Sequence, residues 1–314
     1  MYPGNRSYVK RGQIMEQQTN LFSQAQPGMI DFTSCKLSRR VYGGLSGKKM
    51  GIIYQGSPYM LKFPDSLRYR NLTGEVASYG NNPVAEYIAS HVFEFLGIPV
   101  HETLLGVYKN NQVVACKDFG FVREFREFMA SSKQFDATDD LNPTVSLDIS
   151  QVMDVVQVLE QYPFSIKGAY SRFILTFIVD ALNGNPDRNL GNWGYLEENG
   201  GWTLAPVYDN GSCLFVRFPE SKMLQALKDR EYMYQLAVSG FTSRFKLGEC
   251  MLNPYDWITN TLSCPGVRSA LDQVTSLDLT RVYDCIWAVC TGIQAGFYSE
   301  LYSVRMQRLR QILS

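Results

Sequence analysis

Two histidines, His91 and His101, are all that the 314 residues contain, too few for a histidine-based metal centre. Both are expected to be ordinary residues of a helix and a strand. Net charge is missing as well, because thirty Lys and Arg balance thirty Asp and Glu. Binding nucleic acid through a general basic field needs surplus cations, so a direct nucleic-acid binder of that kind is excluded. No apolar run approaches the roughly 20 residues that span a bilayer. The best, Phe173 to Leu182, is short and carries Asp180. The first residues hold no apolar stretch of the kind a Sec signal requires, and none is expected. Cysteine pairing is absent too: the seven cysteines form an odd, scattered set, which points to reduced thiols in a cytoplasm. Cys285 and Cys290 are the nearest pair, but no neighbouring His or second pair completes a zinc site.

What is abundant is apolar surface, with 45% hydrophobic and 13% aromatic residues. That content excludes disorder as the main state and suffices for one large or two modest domains. Residues 1–30 are polar, rich in Gln and Asn, and read as an arm. From residue 31 to 120 short β-type runs alternate with glycine turns around one helix. Val41-Tyr42, Met50–Tyr54 and Tyr59–Phe63 are runs, separated by the Gly43–Gly47 segment and the turn Gln55–Pro58. Asn82-Pro83 opens the helix, with Asn82 as N-cap, and Val84, Ile88, Val92 and Phe95 form its apolar stripe up to Gly97. A hairpin turning at Asn110-Asn111 follows. Residues 121–314 read as mostly helical, with a long apolar helix from Phe164 to Leu182 and a hairpin around Asn199-Gly200. The fold expected is α+β and two-lobed, a small β-rich lobe followed by a larger helical one.

Two acidic clusters carry the chemistry, Asn185-Pro186-Asp187-Arg188-Asn189-Leu190-Gly191-Asn192 and Tyr208-Asp209-Asn210-Gly211. Phosphoryl transfer from ATP needs a carboxylate to orient the attacking hydroxyl, then an Asn and a further Asp to hold Mg2+ on the phosphates. Asp187 and Asn192 have the Asp-x4-Asn spacing of a kinase catalytic loop, and Asp209 follows a hairpin where a metal-binding Asp belongs. In the small lobe, Gly43, Gly44 and Gly47 allow the backbone to approach phosphates, although the spacing is not that of a P-loop. Lys62 either faces a cleft and pairs with phosphates or is an outward, solvated lysine. Glu86 either holds Lys62 or merely favours the dipole of its helix.

The stretches YGGLSGKKMGIIYQGSPYMLKFP, NNPVAEYIASHVFEFLGIPVHET, VVACKDF, NGNPDRNLGNWGYL and LAPVYDNG together resemble the HipA-like bacterial serine/threonine kinases, from about residue 32 to 215. The resemblance implies a bilobal protein-kinase-like fold with ATP and Mg2+ as cofactors. It implies Asp187 as the catalytic Asp, Asn192 and Asp209 as metal ligands, and Lys62 as the phosphate lysine. Cys116, Lys117, Asp118 and Phe119 would form the hinge that meets adenine, and Gly44, Ser46 and Gly47 the loop over the phosphates. Ser46 matches a loop serine that family members autophosphorylate; its alternative is a turn hydrogen bond. Asn189 stands where the family often has His. The chain starts close to the kinase core, so it resembles the shorter members, which act alone or with a separate small partner such as an antitoxin. No helix-turn-helix is evident, so DNA binding would belong to that partner. The expected substrate is a protein serine or threonine. The competing readings are a phosphatidylinositol-kinase-like enzyme, against which the lack of a basic or amphipathic membrane-facing segment counts, and a pseudokinase that responds to nucleotide without transfer.

Overall fold

The computed structural model describes residues 29–40, 42, 48–66, 80–120, 125–127, 147–161, 165–290 and 292–314. Most of the expected N-terminal arm and the loop bearing Gly44, Ser46 and Gly47 lie outside the described residues. The first lobe is a six-stranded sheet with one helix. Its elements are β1 (Ile30–Asp31), β2 (Lys36–Leu37), β3 (Lys49–Tyr54), β4 (Ser57–Lys62), α1 (Asn82–Phe95), β5 (Thr103–Tyr108) and β6 (Asn111–Lys117). The spatial order is β1-β5-β6-β4-β3-β2, antiparallel except where β1 pairs with β5. The β5–β6 turn is Lys109-Asn110, both with positive φ, which corrects the expected Asn110-Asn111; Asn111 already pairs with Tyr108 as a strand residue. Two left-handed residues are what a tight hairpin requires, and Asn tolerates that region well.

The pleat of β4 decides where its lysine goes. Leu61 lies opposite Ala115 and joins Phe32, Ile52, Tyr59 and Val113 in a small core on one face. Lys62, one residue on, lies opposite Val114, whose face packs against α1. Helix α1 buries Val84, Ile88 and Val92 as its sequence pattern requires, and Phe93 with them, whereas Phe95 is half-buried under the Arg281 guanidinium. Its N-cap is Asn81 rather than Asn82. The Asn82 side chain is instead drawn across to the other lobe, where its amide donates to the Gly211 carbonyl at 2.9 Å.

The second lobe contains β7 (Phe125–Glu127), α2 (Ile149–Leu159), α3 (Ala169–Asn183), β8 (Gly194–Glu198), β9 (Gly201–Leu204), α4 (Glu220–Lys228), α5 (Arg230–Tyr234), α6 (Pro254–Asn260), α7 (Val267–Thr275), α8 (Leu279–Val289) and α9 (Gly292–Leu313). Strands β7, β8 and β9 form a small antiparallel sheet. Helix α3 starts at Ala169, later than the sequence pattern suggests, and is the buried axis of the lobe. Its rings Phe173 and Phe177 meet Trp193, Phe245 and Trp257. Among the described residues, no helix is long and apolar enough to cross a membrane. All seven cysteines are unpaired thiols.

Gly184 ends α3 in the left-handed conformation, with φ 66°. The fully buried Arg305 of α9 presses on it and donates to the carbonyls of Asn183 (3.1 Å) and Ala237 (3.3 Å). A guanidinium at a helix C-terminus satisfies orphan carbonyls and opposes the helix dipole. A Cβ at position 184 would come within 2.2 Å of Arg305. Gly184→Ala therefore combines backbone strain with overpacking and is expected to destabilise by about 2–4 kcal/mol. Thermal denaturation would register this as a fall in Tm of roughly 5 °C or more, and an unchanged Tm would contradict the packing described.

Candidate active site

Lys62 stands at the end of β4, where the strand meets the gap between the lobes. Its ammonium donates to Glu86 Oε2 at 2.6 Å and to Asp209 Oδ1 at 2.8 Å. It is not a solvated surface lysine, since only 13% of its side chain is exposed. Glu86, on the inner face of α1, is wholly buried and so does more than favour the helix dipole. Its carboxylate also accepts from His101 Nε2 at 2.9 Å and from the Asn210 backbone N–H at 2.9 Å. Burial by itself would push the Glu86 carboxyl up, but the Lys62 ammonium and the His101 hydrogen bond outweigh it and hold it well below the usual range. Burial likewise works against the Lys62 charge, and Asp209 and Glu86 overcome it, raising its pKa. Asp209 is held low chiefly by Lys62.

Asp209 arrives on a segment tied to the first lobe. Val207 N–H donates to the Pro99 carbonyl and His101 N–H to the Val207 carbonyl, both at 2.9 Å. His101 is therefore no ordinary strand residue: it precedes β5, is buried, and touches both this segment and Glu86. Asp209 has φ 60°, a conformation a non-glycine residue keeps only where its surroundings enforce it. Gly211 follows, and a Cβ there would stand 3.0 Å from Glu86 Oε2, so glycine leaves room for the close approach of this loop to the carboxylate.

The other acidic cluster is built on α3. Asp180 accepts from Arg188 Nε at 2.8 Å and Nη2 at 3.0 Å, a two-pronged buried pair. Arg188 reaches on to the Tyr208 carbonyl at 2.6 Å and to Asn210 Oδ1. Asn185 Oδ1 accepts from Asp187 N–H at 3.0 Å, turning the chain so that the Asp187 carboxylate stands at the cleft. Asn189 accepts from Gly191 N–H at 2.8 Å and caps the short turn Leu190–Asn192, a local support that needs no imidazole. Asn192 donates its amide to the Asp187 carbonyl at 3.0 Å, leaving its oxygen as the remaining donor atom. Partial burial raises the Asp187 pKa, with the Asp209 charge adding and Arg244 and Ser212 opposing.

Lys62, Glu86, Asp187 and Asp209 thus line one open cleft of about 450 Å³, walled also by Lys48, Lys49 and the rings of Phe63, Phe215 and Phe218. Asn192 and the Cys116–Phe119 stretch do not line it. Asn192 lies beside the loop, with Arg188, Trp193 and Tyr208. Cys116 is buried in β6; Lys117 pairs with Glu102 at 2.8 Å; Asp118 accepts from Tyr42 Oη at 2.7 Å and Arg40 Nε at 3.1 Å; the Phe119 ring packs on Tyr208 and Phe125. The Asp209 carboxylate and the Asn192 amide oxygen are hard oxygen donors of the type Mg2+ prefers, so the residues present suit that ion. Three contributors escape a reading of the sequence: His101, Arg188 and Asn210. The one signal was Asp180, a lone charge in an apolar helix, which must find a buried partner.

Comparison with known proteins gives a consistent result. The HipA-like C-terminal domain family matches residues 42–253. The serine/threonine-protein kinase CtkA of Helicobacter pylori is 30% identical over 269 residues, covering 82% of this chain and 78% of CtkA. The crystal structure of the proinflammatory kinase CtkA from H. pylori superposes with a TM-score of 0.78 at 26% identity, over 91% of this chain and 96% of that one. A chain of the Shewanella oneidensis MR-1 complex of HipA, HipB and operator DNA aligns with a TM-score of 0.49 at 13% identity, over 95% of this chain and 70% of that one, which adds nothing to the fold assignment. The α+β fold is bilobal and kinase-like, a small β-rich lobe on a larger, mostly helical one.

The charge pattern of the cleft has a measurable consequence. Glu86 and Asp209 both sit below their ordinary values when folded, so their pairing contributes stability above the ordinary glutamate value of 4.5. That contribution is lost as pH falls through the acid range. Glu86→Gln should be less stable by about 3 kcal/mol near neutral pH. It should also lose less further stability than the parent between about pH 5 and pH 3. Urea unfolding across that range distinguishes the two curves; parallel curves would mean that Glu86 is not held as a carboxylate.

Proposed function

The chain belongs to the HipA-like C-terminal domain family, and on that premise we propose that it is an ATP-dependent serine/threonine protein kinase. The observation that carries this reading is the Lys62 ammonium held between Glu86 and Asp209, with Asp187 on the same cleft. Catalysis of phosphoryl transfer is mainly positioning and charge stabilisation, and each of these residues supplies part of it. Lys62, steadied by Glu86, steadies the ATP phosphates. Asp187 accepts a hydrogen bond from the substrate hydroxyl and aligns it for attack; its raised pKa favours taking up the proton as the new bond forms. Asp209 and Asn192 would hold Mg2+, which when bound neutralises charge on the phosphates. Adenine falls to the Cys116–Phe119 stretch. The N–H groups of Lys117 and Asp118 there already donate to the carbonyls of Glu102 and Pro58. Gly44, Ser46 and Gly47 would cover the phosphates, with Ser46 the site of autophosphorylation.

The substrate proposed is a serine or threonine of a protein, with a separate small partner of antitoxin type as a further component. Asp187→Ala should keep ATP affinity while losing about 10²–10⁴-fold in kcat. Asp209→Ala should lose Mg2+-dependent nucleotide binding as well. Ser46 should carry phosphate after incubation of the parent with ATP and none in Asp187→Ala. Mass spectrometry of phosphorylated proteins, with nucleotide titrations, reads all three. Parent-like transfer by both variants would refute the site. Transfer to a phosphoinositide and to no protein would favour the lipid-kinase reading, and nucleotide binding without transfer the pseudokinase one.

A further inference from the structure

In the kinase signature the metal-binding Asp is followed by Phe, whose packing sets active and inactive states. Here Asp209 is followed by Asn210, which is wholly buried and has every polar group paired. Its backbone N–H donates to Glu86 Oε1 at 2.9 Å, and its side-chain amide donates to Ser90 Oγ at 3.0 Å. Its side-chain oxygen accepts from Arg188 Nη2, and its carbonyl from Cys213 N–H at 3.4 Å. Glu86 and Ser90 are on one face of α1, in the first lobe, and Arg188 directly follows Asp187 and is anchored to Asp180 in the second. An apolar ring in an apolar slot can slide out at the cost of its burial alone. Asn210 cannot leave without taking one hydrogen-bond partner each from a buried guanidinium, a buried hydroxyl and a buried carboxylate oxygen at once.

We propose that Asn210 is a positioning residue, a polar latch that fixes the Asp209 loop to α1 and to the Asp187 loop. Lys62, Glu86, Asp187 and Asp209 are thereby held as one constellation before nucleotide arrives. The proposal rests on the kinase reading and adds to it a residue that touches neither nucleotide nor acceptor. Neighbouring contacts serve the same end: Asn82 donates to the Gly211 carbonyl at 2.9 Å, and Asn81 N–H to the Val216 carbonyl at 2.8 Å. Those contacts would keep α1 seated if the latch were cut, so the loop is what the latch governs most directly.

Asn210→Leu keeps the branching at Cγ and removes the side-chain links. Assayed well below its Tm, it should lose about 100-fold in kcat, the scale expected when reacting groups are displaced by about an ångström. KM for ATP should change far less, because the phosphate lysine remains. Ser90→Ala cuts one link only and should lose several-fold; it also serves if Asn210→Leu fails to fold. The double variant should be no worse than Asn210→Leu, since the two act through one contact. Amide exchange of residues 207–213 should quicken in both single variants without nucleotide. A folded Asn210→Leu with kcat within threefold of the parent, additive losses in the double variant, or unchanged exchange would each overturn the latch. If the parent transfers no phosphate yet exchange quickens as stated, the kinase reading fails and the latch stands.

Discussion

One buried carboxylate holds the two lobes in register. Glu86 has no solvent exposure and takes hydrogen bonds from three directions: Lys62 from the sheet, His101 from the approach to β5, and Asn210 from the second lobe. Removing a charge of this kind from water costs several kcal/mol, and only complete satisfaction of its lone pairs offsets that. The requirement propagates. Lys62 must lie on the face of β4 turned to α1, a side chain at Gly211 would crowd the carboxylate, and the segment carrying Asp209 must pair with residues 99–101. The second buried ion pair, Asp180 with Arg188, does the corresponding work behind the Asp187 loop, and Asn210 joins the two networks.

Periodicity and spacing were enough for the parts of the fold that follow local rules. The run Tyr59–Phe63 forecasts a strand, with Lys62 facing either a cleft or solvent. The Asp187–Asn192 spacing forecasts a loop after a buried helix. Local rules failed where a distant partner outbid them. Asn82 looks like an N-cap, but its amide finds the Gly211 carbonyl, and Asn81 takes the cap position. His101 looks like strand filler because nothing nearby in sequence marks it; its partner lies fifteen residues earlier, on α1.

Asn210 was illegible for a related reason. In sequence it is one more turn-forming Asn beside Asp209, and only the fold brings Ser90, Glu86 and Arg188 around it. Asn192 shows the converse. Its spacing from Asp187 marks it from the sequence, yet its amide braces the Asp187 carbonyl and it does not line the main cleft. Spacing marks which residues share a loop, whereas the direction each side chain takes depends on the competing partners that folding supplies.

In the protein as described, Lys62 shares its charge between Glu86 and Asp209. A nucleotide with its metal would compete for the Asp209 half of that arrangement and leave the Glu86 half intact. A crystal structure with a non-hydrolysable ATP analogue and Mn2+ tests this most directly. Anomalous density for manganese beside Asp209, with Lys62 moved from Asp209 to the phosphates and still on Glu86, is the expected result. Nucleotide bound away from this cleft, or a Lys62–Asp209 pair unchanged beneath it, would contradict the assignment of these residues.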